Sequence, residues 1–148
     1  GWTQYWNDVL KPDQPLDPNL VKALIASESG FNSNALASPD NSNSARGLIQ
    51  ITNATRKLLD GYHGDLKDHL ITATKAELND QNVNICAGVR WLFEKRRQAS
   101  AHFKRPATWF ETVWEYKSVK LAKTKKKAED MNKIFNAFYE EFRKCGKL

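Results

Sequence analysis

Apolar residues return at helical spacing through most of this chain, and that periodicity restricts the fold more than any other feature. Met131, Ile134, Phe135, Phe138 and Phe142 follow an i, i+3, i+4, i+7 pattern. Trp2, Tyr5, Trp6, Val9 and Leu10 show the same spacing near the start. Leu20, Val21, Leu24 and Ile25 show it again after a Pro-broken connection at 11–16. Each stripe must be buried against another element, and strand-type alternation is scarce. The expected fold class is mainly α, with at most a small β-hairpin.

The punctuation between stripes sets the expected element order. Asp17 is a good N-cap, Pro18 suits a first helical turn, and Gly30 is a C-terminal stop. Residues 31–45 are rich in Asn and Ser and contain Pro39, so a long polar loop is expected there. A helix resumes near Asn53, 60–64 reads as a turn, and 66–78 is ambiguous. Asp80 or Asn82 can cap a long helix to about Gln98, with Ile85, Val89 and Leu92 on one face flanked by Cys86 and Phe93. Pro106 opens another helix, with Trp109, Phe110, Val113 and Trp114 as core candidates. Trp91 is also assigned to the core. The last helix spans about 128–145.

The chain of 148 residues is long enough for one domain with a real core, and neither a repeat nor a linker divides it. A single domain over 1–148 is expected. No apolar run approaches the ~20 residues of a membrane span. The N-terminus lacks the basic start and apolar stretch of a signal peptide, so another delivery route or a larger parent protein is expected. Net charge is +6, which favours an anionic partner: nucleic acid, lipid or a wall polymer. The densest basic run, Lys120 to Lys127, has no interleaved aromatics and no nucleic-acid motif around it, and reads as a solvated face. Cys86 and Cys145 have no metal-type spacing, so no metal is expected. Both lie on apolar helical faces and read as buried thiols; a bridge between them, worth ~4 kcal/mol, is the alternative.

Glu28 is the anomaly. It falls four residues after Leu24 and three after Ile25, on the apolar stripe, and at the helix C-terminus. Burial and the helix dipole would both raise its pKa, which suits a general acid near neutral pH. A solvated or Lys/Arg-paired surface Glu is the plain alternative.

The residues that follow Glu28 are specific. Glu-Ser-Gly-Phe-Asn at 28–32 is followed across the polar loop by Gly-Leu-Ile-Gln at 47–50. Asn84-Ile85 then precedes Gly88, Trp91 and Leu92, and Tyr116 comes later. This order, from about Leu16 to Tyr116, resembles the soluble lytic transglycosylase (SLT) and goose-type lysozyme superfamily. Its usual pattern is ES-x-F-N, G-L-M-Q, N-I-x-x-G-x-x-Y-L and A-Y-N. Ile49 replaces the usual Met, and Lys117 stands where the last Asn is expected.

The resemblance implies a lysozyme-like single domain acting on peptidoglycan without metal or organic cofactor. It implies that Glu28 is the catalytic acid and that Ser29 is the small polar residue beside it. It further implies that Gln50 lines the cleft, that Gly47 lets backbone approach the sugar, and that Tyr116 belongs near the carboxyl. Ser29 as a helix terminator, Gln50 as a surface amide and Tyr116 as a core aromatic are the competing structural readings. The Asn84–Leu92 stretch reads as packing for a central helix.

Two mechanisms are open. In lytic transglycosylases the glutamate protonates the leaving oxygen and then deprotonates the C6 hydroxyl of N-acetylmuramic acid, which closes a 1,6-anhydro ring. In goose-type lysozymes an Asp in the loop before the second motif positions water for inversion. Asp40, seven residues before Gly47, would serve there, ~6.5–9.5 Å from the acid; ordinary turn chemistry around Pro39 is its other reading. The first mechanism is the expectation and the inverting muramidase the alternative. A wall- or nucleic-acid-binding module without catalysis is the alternative from another class. The implied setting is the periplasm or cell wall, reached as a phage lysin or exported antibacterial effector. In the latter case an immunity protein that plugs the cleft is the expected partner. The chain is expected to be a monomer.

Overall fold

A computed structural model describes residues 1–117 and 125–145. The elements run α1 (Trp2–Leu10), α2 (Pro18–Ser29), α3 (Asn53–Leu59), a single 3₁₀ turn (Glu77–Asn79), α4 (Gln81–Phe103), α5 (Trp109–Tyr116) and α6 (Lys125–Cys145). The only β pairing among the described residues is two isolated antiparallel bridges, Leu36 with Arg46 and Arg46 with Ile51. The fold is therefore mainly α, as the periodicity predicts. No described helix is long and apolar enough to cross a membrane.

The chain divides into two compact units. One holds residue 1, residues 3–27 and the described residues from 92 onward; the other holds residue 2 and residues 28–91. The boundaries fall inside α2 and α4.

In the first unit the core is aromatic and aliphatic, with Trp6, Leu16, Leu24, Leu92, Trp109 and Phe135 buried. Asn7 holds the Pro-rich connection by giving and receiving hydrogen bonds with the Leu16 backbone at 3.0 and 2.9 Å. Asp17 caps α2, its Oδ1 accepting from the Asn19 N–H at 2.9 Å. The Tyr139 hydroxyl of α6 donates to Asp17 Oδ2 at 3.0 Å. Burial and this carboxylate together hold the Tyr139 phenol above its ordinary pKa. Thr108 and Glu111 form a reciprocal capping box at the start of α5. Arg96 spans Asp13 at 2.8 Å, the Ala107 carbonyl at 2.9 Å and the face of Trp109 at 5.0 Å.

In the second unit Ile49, Ile51, Leu59, Leu78, Ala87 and Val89 are buried. Thr52 caps α3, one residue before the predicted start. Asp80 caps α4, accepting from the Val83 N–H at 3.0 Å. The ambiguous 66–78 segment is irregular up to its single 3₁₀ turn. It is held by buried Arg90, which donates to the carbonyls of His69 and Asp68 at 3.2 and 3.3 Å.

Several expectations need correction. Helix α4 runs to Phe103 rather than Gln98, and α6 begins at Lys125 rather than 128. Phe110 and Trp114 are not core: they are 43% and 46% exposed. An eight-residue helix buries one stripe, and Trp109, Thr112 and Val113 take it. Cys145 is exposed and Cys86 half-buried, and no disulfide joins them. Cys145 lies ten residues after buried Phe135, about 80° off its line on a helix of 100° per residue. The basic run Lys120–Lys127 lies largely outside the described residues; within it, Lys126 at the start of α6 is exposed.

Candidate active site

Glu28 is the penultimate residue of α2. It is half-buried, one turn beyond the buried Leu24 and Ile25. Gly30 ends the helix with a left-handed φ of 59°, and Phe31 follows at 66°.

Ser29 fastens this helix end to the second motif. Its hydroxyl donates to the Leu48 carbonyl at 2.6 Å, across 19 residues of sequence. Residues 47–50 form a four-residue turn between Arg46 and Ile51, whose backbones exchange hydrogen bonds at 3.1 and 3.0 Å. Gln50 closes the turn: its backbone N–H and its Nε2 both donate to the Gly47 carbonyl, at 3.2 and 2.9 Å. Nε2 also donates to the Ala35 carbonyl at 3.2 Å, which ties the turn to the start of the polar loop. Gln50 has φ 55°, a left-handed conformation that costs a residue with a side chain about 1–2 kcal/mol. Its surroundings over-determine it.

Those surroundings come from the third motif. Asn84 is completely buried on α4. Its Oδ1 accepts from the Ile49 N–H at 2.8 Å, and its Nδ2 donates to the carbonyls of Leu78 and Arg46 at 2.8 and 3.1 Å. Three of the four bonds this amide can make are present. Gly47, with φ 80°, lies directly against it. A Cβ there would press on the Asn84 carboxamide and come within 2.7 Å of the Leu78 carbonyl. The room left by the missing side chain is thus occupied by Asn84. One turn further along α4, a Cβ on Gly88 would collide with Ile49, reaching Cδ1 at 2.8 Å. The Asn and Gly of the third motif are therefore the seat of the second. Sequence reading took that stretch as helix packing and missed this role. The available signal was an Asn on an otherwise apolar face, which once buried must find partners.

Asp40 is exposed in the polar loop. The loop is built from local turns, with the N–H of Asn41 bonded to the Ser38 carbonyl and that of Ser44 to the Asn41 carbonyl at 3.1 and 3.0 Å. Asn43 Oδ1 accepts from the Ala54 N–H at 2.7 Å and joins the loop to α3. Tyr116 is the last residue of α5 in the other unit and is half-buried. Lys117, at the position of the missing Asn, donates from Nζ to Ser27 Oγ at 2.9 Å. Ser27 in turn donates to the Leu24 carbonyl at 3.0 Å. Sequence reading recorded Lys117 as a departure and did not foresee that it is bonded to the residue before Glu28.

The structure thus brings Ser29, Gly47, Gln50 and Asn84 into one hydrogen-bonded assembly at the end of the helix that carries Glu28. A carboxyl at a helix end anchored in this way can deliver and retrieve one proton at a fixed place. The family model described as Transglycosylase SLT domain matches residues 8–139, most of the chain. No curated protein matches it.

Proposed function

Because this chain belongs to the transglycosylase SLT domain family, whose members act on peptidoglycan, we propose that it is a lytic transglycosylase using Glu28 as its acid and then its base. The observation that carries the reading is the 2.6 Å bond from Ser29 to Leu48. It anchors the end of the Glu28 helix to the Gly47–Gln50 turn, so both motifs of the resemblance act as one wall.

In this reading the bond between C1 of N-acetylmuramic acid and O4 of N-acetylglucosamine breaks. The Glu28 proton passes to O4, and the substrate N-acetyl group supports the positive C1 centre. The C6 oxygen then bonds to C1 and gives its proton to the Glu28 carboxylate. Water is neither added nor lost, and the glutamic acid is regenerated. Gln50 and Gly47 shape the sugar-facing turn, Ser29 positions the helix end, and Tyr116 contributes to substrate binding. The basic net charge assists approach to an anionic wall.

The decisive experiment is mass spectrometry of muropeptides released from purified sacculi. Anhydro ends, about 18 Da (one water) lighter than reducing ends, are expected from the wild type and from Asp40→Asn. Reducing ends that disappear with Asp40→Asn would instead establish an inverting hydrolase with Asp40 positioning water. Undiminished release by Glu28→Gln would overturn both. The same sacculi test the delivery idea: protection by a co-encoded inhibitor is expected if the enzyme is an exported antibacterial effector, and absence of protection removes that setting.

A further inference from the structure

Phe110 and Trp114 lie four residues apart on one face of α5, whereas Tyr116 lies about 200° further round the helix from Trp114. Helix α6 brings Asn132, Asn136, Tyr139 and Glu140 to the Phe110–Trp114 face, and together they line a pocket of about 420 Å³. That is within the size of ordinary ligand sites. None of the motif residues contributes to it.

The pocket is held in shape before any ligand arrives. Trp114 is 46% exposed, yet its indole N–H donates to Asn132 Oδ1 at 2.8 Å. Tyr139 is tied through its hydroxyl to Asp17 and meets Phe110 edge-on, with ring centroids 5.1 Å apart at 89°. Glu140 accepts from Arg143 at 2.8 Å, which balances its charge. An exposed aromatic with a fixed orientation loses little entropy when something stacks on it.

The lining combines aromatic rings, two carboxamides and one neutralised carboxylate. A wholly apolar ligand would leave the amides unmet, and an ion would find no net counter-charge. A pyranose matches both halves, with C–H groups on its faces and hydroxyls on its edges. An N-acetyl substituent adds an amide that pairs with an Asn carboxamide. The Phe110–Trp114 ridge also borders a hollow of about 300 Å³, lined further by Phe103, Glu111 and Glu115, which is space for an adjoining sugar. We propose that this pocket binds a neutral N-acetylhexosamine residue of a glycan strand, as a holding site separate from cleavage. The choice of glycan rests on the peptidoglycan reading above. Holding one part of a strand raises the effective concentration of the rest.

The test is titration of full-length Glu28→Gln protein with tetra-N-acetylchitotetraose, followed by ¹H–¹⁵N spectra of the Trp indole and Asn side-chain groups. Saturable shifts are expected at the Trp114 indole and at the Asn132 and Asn136 amides. Asn136→Ala and Trp114→Leu, both at exposed positions, are each expected to weaken binding about tenfold. Absence of saturable shifts there overturns the proposal, as do shifts that neither substitution reduces. So does occupation of the pocket by a Lys-rich amphipathic peptide while the sugar leaves it unmoved. Normal muropeptide release with a silent Trp114 would sink this site alone; Trp114 shifts without muropeptide release would sink the cleavage reading alone.

Discussion

The carboxyl of Glu28 and the carboxamide of Asn84 occupy opposite ends of the same design problem. In the proposed mechanism the first must exchange a proton with substrate; the second is shut away and holds backbone in place. Glu28→Gln keeps shape and removes the proton. It is expected to lower muropeptide release about 10³-fold, the scale of general acid–base catalysis, while thermal unfolding stays within about 0.5 kcal/mol of wild type. Asn84→Ala is the converse. It strands the Ile49 N–H and the Leu78 carbonyl inside the protein and leaves the Arg46 carbonyl with its bond from Ile51 alone, at a cost of about 3 kcal/mol in a urea titration. Activity is expected to fall with it, because the Gly47–Gln50 turn loses its seat. Gly47→Ala is expected to cost at least as much, since φ 80° is strained for any side chain and the space belongs to Asn84 and Leu78. A Gly47→Ala protein with unaltered stability would show that the turn is less tightly seated than these distances require.

Among the elements, α5 depends most visibly on charge. Arg105 donates to Glu111 through both terminal guanidinium nitrogens, Nη1 and Nη2, at 2.9 and 2.7 Å, and Glu111 also caps the helix at Thr108. Chiefly through Arg105, its carboxyl pKa falls from 4.5 to about 2. A lowered carboxylate pKa stabilises the fold above the unfolded value of 4.5, and that contribution is lost as pH falls through about 2. The melting-temperature gap between wild type and Glu111→Gln is therefore expected to be constant from pH 7 to about 5 and to close by about pH 2. A gap independent of pH would refute the ion pair's role. Local signals made some helix starts readable, with Asp17 and Asp80 as caps, whereas α5 starts at Trp109 behind the Thr108–Glu111 capping box and not at Pro106, where the sequence reading opens it. The same signals could not say that Phe110 and Trp114 face outward, because a hydrophobic stripe wider than one burial face has no sequence mark for which part is covered.

For the molecule as a whole, the boundaries between its two compact units fall within α2 and α4. We propose that the chain folds as one domain, since a helix cannot melt at a single internal residue without fraying the turns on either side. Far-UV circular dichroism and tryptophan fluorescence are expected to report one coincident thermal transition; two separated transitions would divide the chain into independent folding units. The family match over 8–139 agrees with the motif order seen from Leu16 to Tyr116. By itself, the sequence determined the helical class, most helix starts and the suspicion that fell on Glu28. These rest on interactions within a few residues: periodicity, caps and turn chemistry. Only the tertiary structure decided that Asn84 and Gly88 exist to seat Gly47 and Ile49, that Ser29 binds Leu48, and that Lys117 reaches Ser27. Those partners are 19 to 90 residues apart, and their meeting depends on the path of the chain, which no local pattern encodes.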